Sequence, residues 1–107
     1  MGDIFFDYDK SDVRDDARAT LTEDGRKLLE AKDTRVLISG HCDERGTVEY
    51  NLALGERRAQ STKAFLVNYG VEDARIETIS YGENKPFCDG HDDSCWSQNR
   101  RAHFTIK

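Results

Sequence analysis

The chain has 107 residues, 36% of them hydrophobic and 35% charged, with a formal net charge of -5. That length suits one domain over residues 1–107 with a single small core, and five Phe, four Tyr and one Trp supply the bulk to fill it. The acidic balance excludes a general nucleic-acid or anionic-membrane binder, which needs dense cationic surface, and no apolar run reaches the roughly 18 residues that cross a bilayer.

No charged-then-apolar leader precedes Asp3, and Met1-Gly2 running straight into Ile4-Phe5-Phe6 reads as the start of a soluble piece of a longer protein. Ile4 to Tyr8 is rich in aromatic and β-branched residues and predicts a short strand, with Asp9-Lys10-Ser11-Asp12 as the turn after it. Ala17, Leu21, Gly25, Leu28 and Leu29 recur at helical spacing, and Asp15 and Asp16 suit a helix start, so a helix is expected from Asp15 to Ala31. Arg35 to Ser39 is a central strand closed by Gly40.

A polar, charge-dense loop follows, and then Leu52, Ala59, Thr62, Phe65, Leu66 and Tyr69 fall on one side of a second helix that begins near Asn51 and ends at Gly70. Val71 to Ala74 connects it to a half-exposed strand over Arg75 to Tyr81, which Gly82 ends. The stretch to Ser97 holds the single Pro and several Asp and reads as a long loop, and Ala102 to Ile106 alternates as a last strand. The order β-α-β-α-β-loop-β is satisfied by a mixed four-stranded sheet with two helices on one face, an α/β (α+β) sandwich.

Three cysteines are an odd count. Cys88 and Cys95 flank the polar loop Asp89 to Ser94, which a disulfide could close in an oxidising compartment, although spacing alone does not fix the pairing. Cys42 is then left as a small buried hydrophobe.

Asn51, Gly55, Arg58 and Thr62 lie on one line of the second helix, running beside its core stripe, whereas Arg57 points about 100° away toward solvent. Gly55, one turn before Arg58, leaves space for a carboxylate to approach a planar fork that grips such groups with paired hydrogen bonds. Asp43 in the preceding loop could fold over the same space and take an ammonium, making a receptor for a small zwitterion. The residue types equally allow Asp43 and Arg58 simply to pair with each other, worth about 1 kcal/mol if exposed.

The runs Gly40-His41-Cys42-Asp43-Glu44-Arg45-Gly46-Thr47, Glu49-Tyr50-Asn51-Leu52 and Leu54-Gly55-Glu56-Arg57-Arg58-Ala59 closely resemble the peptidoglycan-associated lipoprotein (Pal) group of the OmpA-like C-terminal domain family. So do Phe6-Asp7-Tyr8-Asp9-Lys10, Ser80-Tyr81-Gly82-Glu83 with Lys85-Pro86, and Ser97-Gln98-Asn99-Arg100-Arg101-Ala102, so that nearly the whole chain is covered. The resemblance implies a non-enzymatic domain, without cofactor, that grips the peptidoglycan stem peptide by diaminopimelate and ties the outer membrane to the wall in the Tol-Pal system of envelope integrity and cell division. It implies Asp43 near the ligand ammonium and Arg58 at its free carboxylate, with Asp9, Cys42, Asn51 and Arg100 as supporting contacts, Cys42 through its backbone. Asp9 also suits a plain turn and Asn51 a plain N-cap. The resemblance further implies contact with the propeller protein TolB on an overlapping surface, and a lipid-bearing N-terminal cysteine that this chain lacks, holding the parent protein to the periplasmic face of the outer membrane. The loop from Cys88 to Cys95 is not part of the family motif.

Three rivals are weaker. His41, Cys42, Cys88, His91 and Cys95 are zinc-ligand types, but the usual paired knuckle spacing is missing. A Cys42/His41 nucleophile is disfavoured because adjacent residues on an extended segment point apart. Porin-tethered and flagellar-stator domains share the fold and wall grip, and the Glu44-Arg45-Gly46-Thr47 run favours the Pal group over them.

Overall fold

The computed structural model describes residues 1–107. In chain order the elements are β1 (Ile4–Phe5), α1 (Asp15–Glu30), β2 (Val36–His41), α2 (Val48–Tyr69), a 3-10 turn at Asp73–Arg75, β3 (Ile76–Gly82), α3 (Asp93–Asn99) and β4 (Arg101–Ile106). The sheet order is β1-β4-β2-β3, with β2 and β3 parallel and the other neighbours antiparallel. The β2-α2-β3 crossover is the parallel unit of a mixed sheet, and β4 returns between β1 and β2.

Helix α1 forms where periodicity placed it. Ala17, Leu21, Asp24, Gly25 and Leu28 make its buried face, with Asp15 and Asp16 in the first turn and Lys27 in the last complementing the dipole. Leu29, expected on that face, is instead half-exposed. Arg75, expected at the start of a strand, is buried in the 3-10 turn and donates to the carbonyls of Leu28, Ala31 and Thr34 at 2.7, 2.7 and 2.9 Å. It thereby satisfies carbonyls that the end of α1 leaves without intrahelical partners.

The core lies between the sheet and helices α1 and α2, around Ile4, Phe6, Leu21, Ile38, Leu66 and Phe104. Helix α2 presses unusually close to β2. A Cβ built on Gly40 would stand 1.7 Å from the Gly55 carbonyl oxygen, and one on Gly55 would stand 2.2 Å from Ser80 Oγ. Gly55 therefore serves helix-to-sheet contact and does not open space toward a ligand, which corrects the expectation from its spacing. The line Asn51, Gly55, Arg58 and Thr62 is likewise not beside the buried stripe of α2 but part of it.

Three boundaries also differ from expectation. Strand β1 stops at Phe5, and the chain turns through Asp9, whose φ is +54°. Strand β2 runs on through Gly40 to His41, with a register shift between those two residues. The stretch read as a long loop contains α3, capped by the Asp92 side chain accepting from the Cys95 N–H at 3.1 Å. Seven residues with only Cys95 and Asn99 buried leave no apolar stripe for periodicity to detect.

Candidate functional site

The loop after β2 enters α2 through Thr47, whose hydroxyl oxygen accepts from the Tyr50 N–H at 3.1 Å. Asn51 is therefore not the N-cap. It lies inside the first turn, buried, and its amide donates to Arg45 O at 3.1 Å and Glu83 Oε1 at 2.9 Å, with Asp43 O at 3.3 Å. That side chain ties the loop after β2 both to its own helix and to the chain leaving β3. Gly82, at φ +54°, backs onto the same turn of α2, where a Cβ would meet Leu52 N at 3.0 Å.

Arg58 is fully buried. Its guanidinium donates to three backbone carbonyls: Nε to Lys10 O at 2.8 Å, Nη1 to His41 O at 2.8 Å and Nη2 to Asp7 O at 3.1 Å. Burial works against the charge and lowers the Arg58 pKa from its ordinary value, opposed by the fields of Cys42 and Asp43. No carboxylate pairs with it, and both terminal nitrogens keep an N–H beyond those used. The simple Asp43–Arg58 ion pair that the residue types allowed is not what forms.

Asp43 is nearly as buried, at 4% exposed, and its partners are Arg45 at 3.0 Å and Arg100 at 3.4 Å. Burial pushes its carboxyl up, but the hydrogen bonds from the Arg45 side chain and backbone outweigh this and hold it below the usual aspartate range. Arg100 also donates to Phe6 O at 2.9 Å, linking Asp43 to the end of β1. The Asp9 carboxylate accepts from the Tyr50 hydroxyl, and the Cys42 thiol donates to Asn51 O at 3.2 Å. Burial pushes the Cys42 thiol up to about 11, so it is a thiol at neutral pH.

Five of the six residues expected at the site, Asp9, Cys42, Asp43, Asn51 and Arg58, line one cleft, and Arg100 reaches it through Asp43. The cleft measures about 50 Å³, against about 300 Å³ or more for a pocket that encloses a drug-sized molecule. It suits the end of a side chain, with an acid to hold a cation and a guanidinium floor to hold an anion. A larger hollow of about 340 Å³ lies elsewhere, between β1, α1 and α3. Its charged groups are already committed, Arg14 to Asp16 at 2.6 Å and Asp3 to Arg101 at 3.0 Å.

Reasoning from sequence did not single out Tyr8, Arg45, Tyr50 or Leu54, which also line the cleft, nor Trp96 and Glu44 beside it. The Trp96 indole N–H donates to Glu44 Oε2 at 2.8 Å, and His91 Nδ1 meets the same carboxylate at 2.7 Å. The available signals were Tyr8 within the motif segment Phe6 to Lys10 and the single Trp, Trp96, next to the segment that starts at Ser97.

Cys88 and Cys95 are bonded to each other, so the Cys88-x2-His91-x3-Cys95 spacing is not a zinc ligand set. His41 Nε2 meets Ser39 Oγ at 2.9 Å while the Cys42 thiol turns to Asn51, so these neighbours form no nucleophilic pair.

Residues 5–101 match the model of the OmpA family. The chain is 51% identical over 107 residues to a protein named peptidoglycan-associated lipoprotein from Mesorhizobium japonicum, covering 99% of this chain and 64% of that one. It is 46% identical to the protein of the same name from Pseudomonas aeruginosa, covering 94% of this chain and 60% of that one. The chain thus spans about three fifths of the length of these curated relatives. Among solved structures it superimposes on the peptidoglycan-associated lipoprotein from Burkholderia pseudomallei with a TM-score of 0.96 at 41% identity, covering all of this chain and 91% of that one. The C-terminal domain of Helicobacter pylori MotB gives a TM-score of 0.92 at 16% identity, covering 100% of this chain and 84% of that one, a likeness of fold alone.

Proposed function

From the premise that this chain belongs to the OmpA family, we propose that it is a non-catalytic wall-binding domain that grips the peptide stem of peptidoglycan by diaminopimelate. The observation that carries this is the cleft in which a buried carboxylate, Asp43, and a buried guanidinium, Arg58, stand among Asp9, Cys42 and Asn51. Diaminopimelate ends in an ammonium and a carboxylate on one carbon. Asp43 takes the first, and the uncommitted N–H groups of Arg58 take the second. Asn51 and Arg100 hold the loop and the acid in place.

Named relatives at 46–53% identity are peptidoglycan-associated lipoproteins, whereas the MotB and FopA1 domains of the same fold are 16–21% identical, which favours the lipoprotein reading over a stator or porin-type parent. On that reading the full-length protein is lipid-anchored at the periplasmic face of the outer membrane, links it to the wall in the Tol-Pal system, and meets TolB on an overlapping surface. The Cys88–Cys95 bond is consistent with such an oxidising compartment.

The test is calorimetric titration with a soluble stem peptide carrying diaminopimelate and with its lysine counterpart. Lysine keeps the ammonium and lacks the carboxylate. Because backbone carbonyls already satisfy part of the Arg58 fork, the expected loss is about 2 kcal/mol, the low end for truncating one member of a buried charge pair. Equal affinity for the two peptides refutes the assignment.

A further inference from the structure

The acid proposed to hold the ligand ammonium already holds a cation. Arg45 donates to Asp43 three times, from Nε to Oδ1 at 3.2 Å, from Nη2 to Oδ2 at 3.0 Å and from its backbone N–H to Oδ1 at 2.9 Å. Its guanidinium carbon sits 3.9 Å from the centroid of the Tyr8 ring and 4.2 Å from that of Trp96. A cation between aromatic faces is held by their quadrupoles as well as by the acid.

The walls of this slot stand on segments other than the loop that carries Arg45. Trp96 stands on α3, its N–H bonded to Glu44, next to Cys95 of the disulfide. Tyr8 precedes the turn at Asp9, which is tied to Tyr50. Asp43 is braced by Arg100. Arg45 is the movable part: its side chain is 33% exposed, and its guanidinium hydrogen bonds all go to Asp43.

We propose that Arg45 is the resident cation of this slot and that stem-peptide binding is an exchange, in which the diaminopimelate ammonium displaces the guanidinium and Tyr8 and Trp96 become walls for the ligand. The inference rests on the reading of Asp43 as the ammonium partner. It makes Arg45 a competitor of the ligand and the two rings part of its recognition. The exchange trades one cation for another on the same acid, so the slot is never left as an unpaired buried carboxylate.

The experiment titrates diaminopimelate stem peptide, with the lysine peptide as comparison, into the wild-type chain and the variants Arg45→Ala, Arg57→Ala and Arg45→Ala/Trp96→Ala. Folding is checked by circular dichroism. Trp96 is the only tryptophan, so its emission reports the slot directly. Arg45→Ala is expected to bind about 3- to 10-fold tighter, from release of one partly exposed ion pair and its ring contacts. Arg57→Ala removes the same charge from an exposed side chain near Tyr50 and is expected to leave affinity unchanged. Trp96→Ala in the Arg45→Ala background is expected to cancel the gain. In the wild type, ligand saturation shifts Trp96 emission and moves the Arg45 Nε–H resonance to its solvent-exposed position. Weaker or unchanged binding by Arg45→Ala, an equal gain in Arg57→Ala, or an unmoved Arg45 resonance overturns the exchange while leaving the site reading intact. Absence of wild-type discrimination between the two peptides overturns both.

Discussion

Replacing Arg58 by alanine removes the donor to three backbone carbonyls that come from different parts of the chain: Asp7 and Lys10 after β1, and His41 at the end of β2. Leaving a buried acceptor unsatisfied costs about 1–3 kcal/mol. The turn at Asp7 and Lys10 lies near the surface and can take up water, so the three losses do not simply add, and about 3–5 kcal/mol in total is expected. A domain of this size has only about 5–15 kcal/mol of stability, and each kcal/mol shifts its midpoint by about 4 °C. Arg58→Ala should therefore melt about 12–20 °C below the wild type, as followed by circular dichroism at 222 nm. The loss of stem-peptide binding expected of it under the proposed function must be measured well below that midpoint to report on the ligand. A drop of less than about 5 °C would show that the carbonyls are readily resolvated and that Arg58 does not organise the site. Asp43→Asn gives the complementary case. It keeps the shape of the carboxylate, loses its charge, and should weaken stem-peptide binding with a much smaller change in melting temperature.

Gly40→Ala places a methyl 1.7 Å from the Gly55 carbonyl oxygen, which neither backbone can accommodate in place. The variant should lose at least about 3 kcal/mol in urea unfolding, the upper part of the range for overpacking, and an unchanged midpoint would contradict the close helix-to-sheet approach. His41 is buried beneath Phe87, with ring centroids 4.9 Å apart. Burial, with the charges of His103 and Arg101 behind it, pushes its pKa from 6.5 down to about 4. The unfolded chain then binds this proton and the fold does not, so stability is full above about pH 6.5 and falls as pH drops toward 4. At about 1.36 kcal/mol per unit the ceiling is about 3 kcal/mol, and about 2 is expected because half-exposed Phe87 admits some water to the ring. Asp24, which burial pushes up, works in the opposite direction, so the His41 contribution is read by comparing wild type with His41→Gln at pH 7.5 and 4.5. Equal pH slopes in the two proteins would refute it.

Much of the fold was legible because it follows from local pattern. The α1 stripe, the Gly70 stop of α2 and the alternation of β3 and β4 each depend on residues within one element. Helix α3 was not legible, since its start depends on the single Asp92 cap and its burial on the disulfide partner in the neighbouring loop. Gly55 was misread for a related reason. Its spacing on α2 is visible in the chain, but its reason for being glycine is Gly40 and Ser80 across the helix-sheet gap. Asn51 looked like a cap because Asn is a strongly preferred N-cap type, whereas the actual cap is Thr47, four residues earlier.

The same division holds at the site. The sequence by itself picked out the candidate residues: an acid, a guanidinium and an amide in a motif whose residue types mark the family. It could not determine what those charges touch, because the contacts are long-range. Arg58 bonds carbonyls 51, 48 and 17 positions away, and Arg100 reaches Asp43 across 57. Only the tertiary structure decided that Asp43 and Arg58 are held apart by backbone and neighbouring arginines and do not pair. In a buried site a charge is stabilised by whichever donors or acceptors the packed elements bring within hydrogen-bonding distance, and sequence adjacency does not supply them.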